Sequence, residues 1–220
     1  SEVDSDGVHI GVMAAITPPA LPALGISFDL GYSQYDNDGW RKLGGYKTKA
    51  SFDQDVITAG LGLEYIFNFN EGLLLTPYLD LRYTHLKQDD YRERGLTATK
   101  VNGYNMDSFT SELGAKLSRS FEFDCSTLTP HLSAGWRHEY GDRDVKTKSA
   151  YINPNGGLVG NSFNLSGASI DRDAANIGVG AEWMFDMVNN QQFGFTVDYN
   201  LLISENQNNH SVFGGLNYRF

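Results

Sequence analysis

The chain has 220 residues, 40% hydrophobic and 20% charged, which suits one large folded domain or two small ones and excludes a disordered chain. Its net charge of -10 argues against nucleic acid, where lysine and arginine must neutralise phosphate. Mean hydropathy is -0.36 and no apolar run approaches the roughly 18 residues of a membrane helix, which excludes helical spans; a membrane barrel remains open, because alternation hides its apolar face from any averaged scale.

The polar, acidic start Ser1 to Gly7 is not a signal peptide, so a leader has been removed or the chain begins mid-protein. Val8, Ile10, Val12, Ala14 and Ile16 then alternate with His9, Gly11, Met13 and Ala15, which predicts a strand. Three prolines between Thr17 and Leu24 end it. Ile26, Phe28, Leu30 and Tyr32 form the second strand, and a polar loop is expected over about Asp36 to Ala50. Ile57 to Phe67 forms the third, turning at Asn70-Glu71-Gly72 into a fourth, Leu75 to Tyr83. A second polar loop is expected over Lys87 to Asn105, then a fifth strand over Phe109 to Leu117. A short turn near Asp124 to Thr127 leads to the sixth, in which Leu132, Ala134, Trp136 and Tyr140 share a face. The longest connection, Gly141 to Ala174, is rich in Gly, Asn and Ser, and reads as disordered or folded over the end of the structure. Ile177 to Phe185 is the seventh strand, turning at Val188-Asn189-Asn190-Gln191. Phe193 to Ile203 and Val212 to Phe220 are the last two.

Nine strands and no helix make the chain all-β, and two features point to an antiparallel up-and-down transmembrane β-barrel. Connections after the first, third, fifth and seventh strands are short, whereas those after the second, fourth and sixth are long. Antiparallel neighbours place alternate connections at opposite ends, so one end is trimmed and the other carries long loops. The link before the last strand is the exception. The second feature is the polar face, which carries Asp29, Glu64, Asp80, Arg82, Glu112, Lys116, Arg137, Glu139, Glu182, Asp198 and Arg219. Such charges are costly in an apolar core. They are expected instead to line a hydrated lumen, as a ladder of pairs or as the wall of a route. Glycines between them suit a crowded interior. Rings near strand ends, from Tyr65 and Phe67 to Phe185, Phe193 and Tyr218, match an aromatic girdle. The ending Asn217-Tyr218-Arg219-Phe220 resembles the signature that outer-membrane barrels present to the barrel assembly machinery, which makes Tyr218 and Phe220 the expected assembly signal. With the C-terminus on the periplasmic side, an odd strand count leaves the N-terminus at the opposite end. A closed bacterial barrel has an even count, so an odd number of strands is expected upstream.

Leu75-Thr76-Pro77-Tyr78 before Leu81-Arg82-Tyr83 resembles a stretch of the autotransporter β-domain, the translocator of type V secretion. So do Tyr91-Arg92-Glu93-Arg94-Gly95, Leu128-Thr129-Pro130-His131 with Trp136-Arg137-His138-Glu139-Tyr140, and the ending His210 to Phe220. The resemblance covers nearly the whole chain, 1–220, as one barrel domain. It implies the last nine strands of a twelve-stranded barrel, lacking the first strands, the linker helix and the passenger. It implies a location in the outer membrane of a Gram-negative bacterium. The partners it implies are outer-membrane lipid, the chain's own passenger and linker helix, and the assembly machinery.

The residues offer little chemistry. His138 faces opposite to Glu139, so they form no dyad, and girdle packing is the expected role. The other histidines lack metal-ligand spacing, and a single cysteine, Cys125, excludes an intrachain disulfide. Gly60-Leu61-Gly62 and Gly178-Val179-Gly180 precede no helix and are not phosphate loops. No catalytic residue, metal or cofactor is expected. The alternatives are a stand-alone outer-membrane barrel (a surface antigen, adhesin or pore), an outer-membrane hydrolase, and a soluble lipid-binding barrel with the two faces exchanged.

Overall fold

The computed structural model describes residues 1–69, 72–142, 144–153, 155–187 and 191–219, without the side chain of Ala168. The predicted turns at Asn70-Glu71 and Val188-Asn189-Asn190 lie outside the described residues, as does Phe220.

The strands are β1 (Glu2–Ile16), β2 (Leu24–Leu43), β3 (Tyr46–Tyr65), β4 (Phe67–Asn68), β5 (Leu73–Gln88), β6 (Tyr91–Arg92), β7 (Thr99–Val101), β8 (Tyr104–Arg119), β9 (Phe121–Phe123), β10 (Ser126–Glu139), β11 (Asp144–Ile152), β12 (Leu158–Ser169), β13 (Asp173–Asp186), β14 (Gln192–Ser204) and β15 (Asn208–Arg219). Nine long ones pair as antiparallel neighbours in the order β1-β2-β3-β5-β8-β10-β13-β14-β15, with β4 and β9 as short extensions against β5 and β10. The sheet curls, with β1 and β15 as its two edges.

Apolar alternation runs through part of every long strand of the main sheet, where the side chains sort onto two faces. The convex face carries Val12, Leu30, Leu113, Leu132 and Val179, and Leu113 is 60% and Val179 53% exposed. The buried apolar residues among those described are Ala98, Val101, Ala150 and Met184, and the first three belong to the segments between the long strands. A water-soluble barrel would bury its large apolar side chains inside; this sheet turns them outward along its whole breadth. Trp183, 37% exposed, is among them. On each strand the apolar stripe spans about nine residues, the length that crosses a bilayer when tilted.

The expected loops are corrected by the structure. The segment Asp36 to Ala50 is not a loop: β2 and β3 run 20 residues each, pair without a break from Leu24↔Tyr65 to Leu43↔Tyr46, and turn at Gly44-Gly45. Both glycines have positive φ, 57° and 85°, as a two-residue hairpin turn requires. At about 3.3 Å per residue these strands reach well past a core of about 30 Å. Beyond Tyr32 neither face presents an apolar stripe to lipid, so the apolar alternation that marks a strand disappears while the ladder continues. The expected loops at Lys87 to Asn105 and Gly141 to Ala174 likewise hold strands. They form a second sheet, β12-β11-β7-β6, joined to the first by an isolated bridge, Lys49↔Arg94.

Candidate functional site

The concave face is built on rows in which a glycine stands between two polar side chains. Asp29, Gly60 and Arg82 share one row across β2, β3 and β5. Arg82 donates to both Asp29 oxygens, at 3.2 and 3.3 Å, over the glycine. His131, Gly180 and Asp198 form another across β10, β13 and β14, and His131 Nε2 lies 2.6 Å from Asp198 Oδ1. A third row runs Tyr78, Gly114, Gly135, Asn176. Glu112 reaches over Gly135, where its Oε1 accepts from the Tyr78 hydroxyl at 2.9 Å and from Asn176 Nδ2 at 2.8 Å.

Arg82–Asp29, His131–Asp198 and Asn176–Glu112 each skip a strand, which curvature permits and a Cβ on the strand between would obstruct. A Cβ on Gly60 would collide with the Asp29 carboxylate, and one on Gly180 with Asp198 and His131. Glycine here is therefore the floor beneath each polar bridge. Ser27, Gly62 and Asp80 repeat the pattern, as do Ser133, Gly178 and Asn200.

The remaining residues singled out from the sequence fall on the same face. Glu64, Asp80, Glu112 and Lys116 line a cavity of about 440 Å³ together with Tyr78 and Asn176. Glu182 accepts from Asn217 at 3.3 Å and lies 3.9 Å from Arg219. Arg137 lines a smaller cavity beside Glu139 and Arg172. Glu139 is 3% exposed and works as a clamp at the rim, accepting from Ser108 Oγ at 2.6 Å, Phe109 N at 3.1 Å and Gly141 N at 2.8 Å. Tyr218, on the convex face, is exposed.

At the upper edge of the apolar stripe, rings form a second belt that reaches for aspartates. Tyr32 donates to Asp55 at 2.6 Å and Trp136 Nε1 to Asp173 at 3.0 Å. His138 sits between the Trp136 and Tyr140 rings, with Nδ1 2.7 Å from Asp173, in the girdle position its parity implied. Amphipathic rings at a membrane boundary behave this way, the body in lipid and the polar atom in water.

Above the belt, Arg41 and Glu93 make a contact that the sequence reading missed. Arg41 Nε and Nη2 donate to the two Glu93 oxygens at 2.8 and 2.6 Å, and Nη2 also donates to Thr97 O at 2.9 Å. Glu93 Oε2 also accepts from Thr99 N and Oγ1, at 2.8 and 2.7 Å. Burial opposes ionisation of Glu93, but the Arg41 and Thr99 donors outweigh it and hold the carboxyl below its usual range. Glu93 lies in the Tyr91-Arg92-Glu93-Arg94-Gly95 motif, and Tyr78 and His131 end the two Thr-Pro motifs. The motifs thus mark polar structural joints, and nothing in them pointed to their partners.

A family model described as the autotransporter beta-domain matches residues 1–200. An extracellular serine protease of Serratia marcescens is 22% identical across the whole of this chain, which covers 20% of that protein. Outer membrane protein A of Rickettsia conorii is 29% identical over 71% of this chain, which covers 8% of that protein. The chain thus spans about a fifth or less of these relatives. In fold it matches the translocator domain of autotransporter NalP from Neisseria meningitidis with a TM-score of 0.67 at 20% identity, covering 99% of this chain and 68% of that one. The outward apolar band, the polar interior and the matched family model agree: the chain belongs to the autotransporter β-domain family and resides in the outer membrane of a Gram-negative bacterium.

Proposed function

We propose that residues 1–220 are the greater part of a translocator barrel that anchors a protein in the outer membrane and delivers its N-terminal passenger to the cell surface. The observation that carries this reading is the pairing of faces. One side of a single-layer sheet is an apolar band, and the other is a polar wall in which hydrogen-bonded side chains bridge over glycine. Such a wall tolerates a moving polypeptide because its bridged polar groups are already partnered with one another. The charged residues from Asp29 to Arg219 form the wall of that route and grip the linker that follows the passenger. Three further strands, which bring the barrel to twelve, close the sheet across the β1 and β15 edges. Tyr218 and Phe220 act as the signal read by the assembly machinery. The barrel carries out no covalent chemistry, and any enzymatic activity belongs to the passenger.

The test is made in cells expressing the full-length protein or a form lacking residues 1–220. Protease added to intact cells should digest the passenger only when the barrel is present. Passenger reaching the surface equally well without the barrel would overturn the proposal.

A further inference from the structure

The β12-β11-β7-β6 sheet does not stand beside the β2–β3 hairpin at random. β2 pairs with β3 without a register shift, so Arg41 points to the same side as Asp29, and Thr48 and Phe52 share that side. The side-chain contacts of the smaller sheet with this hairpin are made there. Arg41 grips Glu93 with two donors. Thr48 Oγ1 lies 2.8 Å from Thr97 Oγ1, and the Phe52 and Tyr91 rings stack at 4.9 Å. The backbones of Lys49 and Arg94 exchange bonds of 3.0 and 2.8 Å. The opposite side of the hairpin carries Trp40 with Lys42 and Lys47 over its ring. The smaller sheet therefore overhangs the concave space at the loop end.

Its attachment is also of a kind that can release. Ala98, Val101 and Ala150 are the buried apolar side chains of this sheet among the described residues, and none of them is large. The joint is a forked ion pair, the Arg41 bond to Thr97 O, one hydroxyl contact, one ring stack, a two-bond backbone bridge and the Asp89 N bond to Asp53 O. Gly95, at φ +148°, lets the loop lie against β3, where a Cβ would come within 2.8 Å of Lys47 O. The sheet's own ladder, β11 against β12 and β7, does not depend on that joint.

We infer that the β6–β7–β11–β12 sheet is a lid over the loop-end mouth of the barrel, latched by Arg41 and Glu93, and that it swings clear as a unit when the latch opens. The inference rests on reading the concave face as a route, but its deciding test, a labelling rate, needs no passenger movement. In full-length protein with Cys125→Ser, a reporter cysteine replaces Thr110, which lies on the concave side. A membrane-impermeant maleimide is added to intact cells, and folding is confirmed by the mobility of unheated samples on gels. R41A and E93A should label several-fold faster than the parent, and the swap R41E/E93R should return the rate toward it. Thr48→Cys/Thr97→Cys, assayed separately for passenger display, should arrest display when oxidised and restore it on reduction. Folded variants that label at the parental rate would overturn the lid. Loss of display after deletion of residues 1–220 reports on the translocator reading alone.

Discussion

The membrane band and the overhanging lid are made of the same kind of antiparallel strand, yet they are held by different forces. In the band, ladder bonds are continuous, the apolar stripe faces lipid, and polar bridges close over glycine on the other side. Lipid cannot satisfy a backbone N–H or C=O, so no strand there can leave its neighbours cheaply. In the lid the buried apolar side chains are small, Ala98, Val101 and Ala150, and the joint to the barrel is mostly polar, so the strands can part from the barrel at the cost of a limited set of contacts. Position along one hairpin, β2–β3, decides which regime applies, and Tyr32 marks the boundary.

The sharpest way to break this contrast is to put charge on each face of the band. Val179→Arg, in the apolar stripe, should destabilise by about 2–4 kcal/mol, and Leu61→Arg likewise. Ser133→Arg, on the concave face, should cost far less. Urea titration of the barrel refolded into vesicles checks this, and equal costs would reject the two-face assignment. Next comes the glycine floor. Gly180→Val should cost about 1–3 kcal/mol, because the new side chain drives Asp198 from His131. The same titration, with the His131 imidazole followed by NMR, reads both effects.

Arg41→Ala should cost about 1–3 kcal/mol, confined to the lid, since it strips charged donors from a nearly buried carboxylate. Amide exchange should quicken in β6 and β7 and stay slow in β8 and β10. Global unfolding with the lid would show that the two regions are one cooperative unit. The Glu93 carboxyl is held below its usual range when folded, so its contribution is present at neutral pH and is lost as pH falls through that depressed value. The lid should therefore stay shut at pH 7 and loosen only in acid below the ordinary glutamate range, about 4.3. The smallest effect belongs to the belt. Asp55→Asn, which alters the exposed Tyr32 contact, should change stability by no more than about 0.5 kcal/mol.

How far the sequence could be read followed the same boundary. Within the band, alternation placed Ile57 to Tyr65 and Ile177 to Phe185 on strands and sorted their faces, because lipid on one side and water on the other impose a period of two. Past Tyr32 that constraint ends, and Asp36 to Ala50 looked like a loop although Gly44-Gly45 is a hairpin turn that its residue types could have flagged. The site divides likewise. That Asp29, Arg82 and Glu112 share a face follows from parity alone, but which group each one meets does not.

The chain by itself determined the nine long strands of the main sheet, the outward apolar face and the family resemblance, because each depends only on the local order of side chains. Tertiary structure alone decided that Asp29 meets Arg82 over Gly60, that Glu112 sits between Tyr78 and Asn176, and that Arg41 holds Glu93 across 52 positions of sequence. Those contacts depend on register and curvature, which exist only once several strands are paired and bent around a common interior.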